Sequence, residues 1–241
     1  MRAQTRHQLK QDRFSRATID VAEKTVHWTV EHQSKLIAGS VILLIVFAVL
    51  LGGWYYINRQ DEKASVELSQ AVRTLDTPIR PAGMPAQPDE PSFASGKERA
   101  MAAHKQFQEV ASKYPHTRSG DIAHYFVGLT ASQLGDYSAA ERELKSIADS
   151  RNEDFASLAR FALAAVYRNT NRNKDAIELY KKLAEKPTRT VGKVAAQMEL
   201  GATYESNRQP LEAKQIYQQI QKENPSSDAA QTASAKLQEL K

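Results

Sequence analysis

Side chains suited to bond making are few in this chain and scattered along it. Cysteine is absent from its 241 residues, which excludes disulfide scaffolds, thiolate-bound zinc, iron–sulfur clusters and thiol catalysis. A cysteine-free chain also suits an oxidising compartment, where a stray thiol is a liability. The histidines stand at His7, His27, His32, His104, His116 and His124. His27 and His32 do not share a helix face, and His104 and His116 read as surface residues rather than ligands. No glycine-rich phosphate loop, G-x-S-x-G elbow or H-E-x-x-H pair is present. The acidic pair Asp89 and Glu90 falls in a loop, and Glu141 with Glu143 falls on an exposed helix face. Neither pair has a buried neighbour that would raise a carboxylate pKa for acid catalysis. The expectation is a protein without catalytic residues, metal or cofactor, and not an enzyme.

Contact chemistry is better represented. The 33 Lys+Arg and 28 Asp+Glu leave a formal net charge of +5 with the two signs mostly interspersed, so composition gives no reason to expect nucleic acid. One local exception is Arg2, Arg6, Lys10, Arg13 and Arg16, which a helix would gather into a sector of about 120°. Such a stripe could rest on anionic lipid or touch ribosomal RNA. Its plainer reading is a solvated, partly disordered topology signal.

No charge interrupts the chain between Lys35 and Arg59, and Leu36 to Ile57 reads LIAGSVILLIVFAVLLGGWYYI. As a helix this stretch rises about 33 Å, enough to cross a hydrocarbon layer of roughly 30 Å. Trp54, Tyr55 and Tyr56 cluster at one end, where amphipathic rings settle among headgroups. The run is longer than a signal-peptide core and is followed by bulky aromatics, so it is expected to stay attached. Lysine and arginine are balanced on its two flanks. The short leading tail and the long following part therefore set the orientation, with the N-terminus in the cytoplasm. Ala48 and Gly52 have the spacing of a helix contact but read as ordinary small membrane residues.

Downstream the sequence repeats. Ala103, Ala140, Ala176 and Ala213 are separated by 37, 36 and 37 residues. Four positions after each comes a large residue, Phe107, Leu144, Tyr180 or Tyr217, and three further on Val110, Ile147, Leu183 or Ile220. This i, i+4, i+7 face predicts a buried helix stripe in every unit. Helices of this set end near Pro115, Pro187 and Pro225. Before the last three lies a partner helix in which an apolar residue precedes a small one: Val127 and Gly128, Leu163 and Ala164, Leu200 and Gly201, with Tyr167 and Tyr204 following the latter two. The small residue lets two backbones approach. Turns fall at Gly135 to Tyr137, Asn171 to Asn173 and Asn207 to Pro210.

Around this core, Ala64, Leu68, Val72 and Leu75 predict a helix over 58–76. It either continues the span or forms the first half of an opening repeat completed by the Ala103 helix. Residues 77–96 carry prolines at 78, 81, 85, 88 and 91 and predict an exposed loop. Ser227 to Leu240 reads as a capping helix closing the repeat region 97–241.

At these residues the chain resembles the tetratricopeptide repeat family, whose pattern is W-x2-L-G-x2-Y followed by Ala, an aromatic and Pro in the second helix. The resemblance covers roughly residues 97–226. His124, Arg160 and Gln197 take the Trp position, Ala131 takes the first Tyr position, and the longer period calls for slightly longer helices or turns. It implies an all-α fold, with a single transmembrane helix leading into a solenoid of antiparallel helix pairs whose first helices line a concave face. Projected onto this sequence, the groove positions are Tyr125, Leu129 and Gln133, then Phe161, Arg168 and Asn169, then Met198 and Glu205. The plainer reading of Tyr125 and Phe161 is packing between helices. Tyr125 and Leu129 stand where a carboxylate clamp would need Lys and Asn, so a more apolar partner segment is implied.

The order of tail (1–35), span (36–57), post-membrane helix, loop and repeats is similar to the family of the ancillary SecYEG translocon subunit. That resemblance implies a single-pass inner-membrane protein with periplasmic repeats, which meets the translocon, a periplasmic chaperone and emerging secreted or envelope proteins. Two rival functions remain. One is a scaffold of an envelope-assembly or cell-division complex without clients, and the other, less favoured, is a tail binding nucleic acid or ribosomes and coupled to an external sensor. Self-association is left open.

Overall fold

The structure, a computed structural model, describes residues 32–85 and 91–240. The basic stripe Arg2 to Arg16, His7, His27, Pro88 and the Asp89–Glu90 pair lie outside those residues. Helix makes up 79% of what is described and no strand is present among the described residues, in keeping with the all-α expectation. The chain divides into two compact units that meet between Ile57 and Asn58.

The first helix, α1 (Gln33–Asp76), carries the apolar stretch of the first unit, which is long and apolar enough to cross a membrane. Along the apolar stretch Leu43 and Val49 are each 68% exposed, and Trp54, Tyr55 and Tyr56 are exposed with them.

In the second unit, residues 58–76 of α1 are followed by α2 (Gly96–Lys113), α3 (Arg118–Leu134), α4 (Tyr137–Ala148), α5 (Glu153–Asn169), α6 (Asn173–Glu185), α7 (Lys193–Ser206), α8 (Pro210–Glu223) and α9 (Asp228–Glu239). Local chemistry sets the starts. Ser95, Thr117, Asp136, Asn152 and Ser227 each accept a backbone N–H from three residues on, which satisfies a donor left over at a helix N-terminus. Pro210 opens α8 at a position where its missing N–H costs nothing.

The three predicted turns share one geometry. Gly135, Asn171 and Arg208, again 36 and 37 apart, adopt φ of 85°, 60° and 58°. The next residue, Asp136, Arg172 or Gln209, donates its N–H back to Ala131, Tyr167 or Tyr204 at 2.8–2.9 Å. This is the Schellman arrangement, which reverses the chain while satisfying the last carbonyls of the first helix. Glycine takes the left-handed backbone freely, asparagine with little strain and arginine with more.

Each residue of the predicted repeat stripe, from Ala103 to Ile220, is buried. Close backbone approach is real where the small residues predict it. A Cβ added at Gly128 would meet Leu144 Cγ at 2.8 Å, and one at Gly201 would meet Tyr217 Cε1 at 2.6 Å. Helix α7, at 14 residues against 17 in α5, is shorter by the amount that the loop before it, 186–192, is longer. That loop is fastened to the start of α5. Arg189 Nη2 and Nε hold Asp154 Oδ2 at 2.7 and 2.9 Å, Thr190 donates to the Asp154 carbonyl, and Val191 is buried.

Residues 58–76 belong to one helix with the apolar stretch and pack against the Ala103 helix. Ala64 and Ala71 are fully buried in one cluster with Phe107, while Leu68, Val72 and Leu75 pack at its margin. Asp61 Oδ1 accepts the Ser119 N–H at the start of α3 (2.8 Å), and Glu67 accepts from Lys113 Nζ (2.6 Å) and the Tyr114 hydroxyl (2.8 Å). These bonds hold the Glu67 carboxyl below its ordinary range, the lysine contributing most. The described part of the proline-rich loop is tied at its base. Arg80 donates to the Phe93 carbonyl (2.9 Å) and Phe93 to the Pro78 carbonyl (3.0 Å), a single bridge that periodicity cannot signal.

Candidate partner-binding face

The first helices of the hairpins, α3, α5, α7 and the capping α9, are the elements on which the groove positions fall. Besides packing on their own partners, α3 touches α5 and α7 touches α9. First helices in contact with one another form the inner wall of a curved solenoid.

The eight projected positions differ in what they do. Tyr125, Phe161 and Met198 take the same place in three successive first helices and are half-buried. Tyr125 meets Phe126 edge-on at 5.6 Å and lies 6.0 Å from the Phe155 ring, while Phe161 meets Tyr180 edge-on at 5.4 Å. Burial pushes the Tyr125 hydroxyl pKa up. Packing and surface roles therefore coexist at these rings. Leu129 is half-buried against the core, and its equivalents Ala165 and Ala202 leave more room on the next two helices. Gln133 and Asn169 are exposed.

Arg168 and Glu205 are engaged within the protein. Arg168 Nη1 pairs with Glu199 Oε2 at 2.6 Å, joining α5 to α7. Glu205 accepts the Tyr217 hydroxyl at 2.5 Å and lies 3.7 Å from Lys236 Nζ, joining α7 to α8 and α9. The two tyrosines thus differ: Tyr217 has a partner, whereas the buried Tyr180 hydroxyl has none among the described residues. Burial is the leading cause that raises both pKa values above the ordinary tyrosine range.

Several of the acidic and histidine side chains have partners within the protein. Glu141 bridges Lys145 (2.6 Å) and Arg172 (2.8 Å), and hydrogen bonds from these cations, Lys145 foremost, keep its carboxyl below the usual range. Glu143 pairs with His124 Nδ1 at 3.0 Å. His104, half-buried rather than on the surface, bonds Thr130 Oγ1 at 2.8 Å, and His116 is exposed. No cluster of three or more potential metal ligands occurs among the described residues.

Sequence reasoning missed the networks between repeats. Arg168 and Glu199 lie far apart along the chain, and so do Arg172 and Glu141. Comparing equivalent positions across repeats is the signal that could have found them, because Glu199 and Lys236 are one repeat apart, as are Arg168 and Glu205.

Among solved structures, a point variant of the TPR-like repeats of a protein described as a kinesin light chain from Podosopora anserina is similar, with a TM-score of 0.56 at 15% identity, over 75% of this chain and 85% of that one. The unsubstituted repeats give 0.55 at 14%, over 75% and 86%. At such identity the likeness is one of fold. No curated protein matches. Residues 26–241 match the tetratricopeptide repeat-like domain, a match that takes in the apolar helix together with every repeat, and the chain belongs to that family.

Proposed function

We propose that this protein is a membrane-anchored, non-catalytic interaction scaffold of the cell envelope. The apolar helix crosses the inner membrane once with the N-terminus in the cytoplasm. The repeats work in the periplasm beside the Sec translocon, where their first-helix face holds apolar segments of secreted or envelope proteins, in company with a periplasmic chaperone. The observation that carries this reading is the exposed apolar surface of residues 37–54, which belongs to the same family match as the repeats. So large an apolar surface on a water-soluble chain would drive aggregation, whereas lipid covers it at no cost. Anchoring also raises the effective concentration of the groove for membrane-borne partners, so weak affinity for each segment suffices.

A photocrosslinking residue at Gln133 or Asn169, both exposed on that face, tests the reading in intact cells. Translocon subunits and nascent secreted chains are the expected products. The second reading, a client-free scaffold of an envelope-assembly complex, draws on the Arg168–Glu199 and Glu205–Lys236 pairs, which stiffen the face for one fixed partner. A single stable assembly partner with no nascent chains would favour it.

A further inference from the structure

Successive hairpins carry the same tyrosine in surroundings that differ. At Tyr167 the Arg172 guanidinium lies 4.0 Å above the ring, with Lys145 at 6.0 Å. Glu141 (2.8 Å) and Asp175 (2.9 Å) hold that guanidinium in place. One repeat later the ring is Tyr204, the lysine is Lys181 at 5.8 Å and the second acid is Glu212. Arginine, however, is replaced by Gln209, and Glu141 by Ile177. A cleft of about 480 Å³ opens there, lined by Ile177, Glu178, Tyr204, Gln209 and Glu212 and rimmed by lysines.

We propose that this cleft, between α6, the end of α7 and the start of α8, is a docking subsite for an arginine side chain of a protein partner. Two observations converge on a guanidinium. The chain itself places one at the equivalent point in the preceding hairpin. Glu212 has kept its carboxylate but finds only the Gln209 amide (3.2 Å) among the described residues. A guanidinium brings five donors and a flat face for the ring, and its methylene stem matches Ile177. The rim lysines Lys174 and Lys181 supply the competing chemistry, an anion, which the test must separate.

The full chain in detergent micelles, labelled with 3-fluorotyrosine and with the Tyr204 resonance assigned from Tyr204→Phe, is titrated with N-acetyl-arginine methylamide. The citrulline analogue serves as a neutral isostere and N-acetyl-glutamate methylamide as the anion. Arginine should shift the Tyr204 fluorine signal in a saturable way, with a roughly tenfold preference over citrulline. Glu212→Gln should weaken that shift. In Gln209→Arg the cleft is filled from within, so the Tyr204 signal should start near its arginine-saturated position and stay flat. Equal shifts with citrulline, a larger shift with the glutamate probe, or no arginine shift in a chain whose circular dichroism is native would each overturn the proposal.

Discussion

Gly201→Ala is the perturbation in which local preference and packing pull hardest against each other. In an isolated helix the change stabilises by about 0.8–1 kcal/mol. In α7 the new methyl would stand 2.6 Å from Tyr217 Cε1 and 2.7 Å from Cζ. That ring cannot swing aside, being 1% exposed and held through its hydroxyl by Glu205. Overpacking a closed contact costs about 1–3 kcal/mol, so a net loss of about 1 kcal/mol is expected, a fall in Tm of about 2–4 °C for a domain of this size. Because each hairpin in a repeat array leans only on its neighbours, amide exchange should quicken first in α7 and α8. Gly192→Ala, where an added Cβ meets nothing within 4 Å, is the control and should leave Tm nearly unchanged. The decisive comparison is made in Tyr217→Ala, a variant itself weakened by about 3–5 kcal/mol. With the ring gone, Gly201→Ala should turn stabilising by about 1 kcal/mol. A Gly201→Ala chain that melts higher than wild type, or a substitution whose sign does not change between backgrounds, would refute the claim that glycine is there to let the helices touch.

Tyr180→Phe removes a buried hydroxyl without a partner among the described residues and should be neutral or stabilising by up to about 1 kcal/mol at pH 7 in urea denaturation, whereas Tyr217→Phe, which strips a bond from Glu205, should cost about 1–2 kcal/mol. The folded Tyr180 pKa lies above its unfolded value near 10, so its contribution is fully present below that pH and is lost as the pH rises further; Tyr180→Phe should flatten the alkaline fall in Tm. Asp154, held below the usual carboxylate range by its hydrogen bonds from Arg189, behaves oppositely: its contribution is present above the unfolded pKa and is lost as the pH falls through the folded one. Asp154→Asn should speed amide exchange in 188–191 at neutral pH and remove the acid dependence of that exchange.

The helix pairs were legible because burial leaves a period. Ala103, Phe107 and Val110, and their equivalents, must share a face to be hidden together, and the small residues opposite mark where backbones meet. Turns are likewise local, so Gly135 and Asp136 announce themselves. Ala71 was harder: alanine has too little apolar area to stand out beside Val72, yet like Ala64 it is fully buried with Phe107. Contacts between distant residues leave no period at all. The Arg168–Glu199 and Arg189–Asp154 pairs depend on superhelical geometry, and the Ile79–Phe93 bridge on how a loop folds back. At the candidate face the apolar positions Tyr125, Phe161 and Met198 came from the resemblance to the repeat family. That Arg168 and Glu205 are committed within the protein did not.

The measurement that bears most directly on the central claim uses the absence of cysteine. Asn169→Cys, exposed on the repeats, and Gln8→Cys in the leading tail each provide a single thiol for a membrane-impermeant maleimide in intact spheroplasts. The account predicts that Asn169→Cys is labelled at once and Gln8→Cys only after lysis. Labelling of Asn169→Cys that waits for lysis would place the repeats in the cytosol and contradict it.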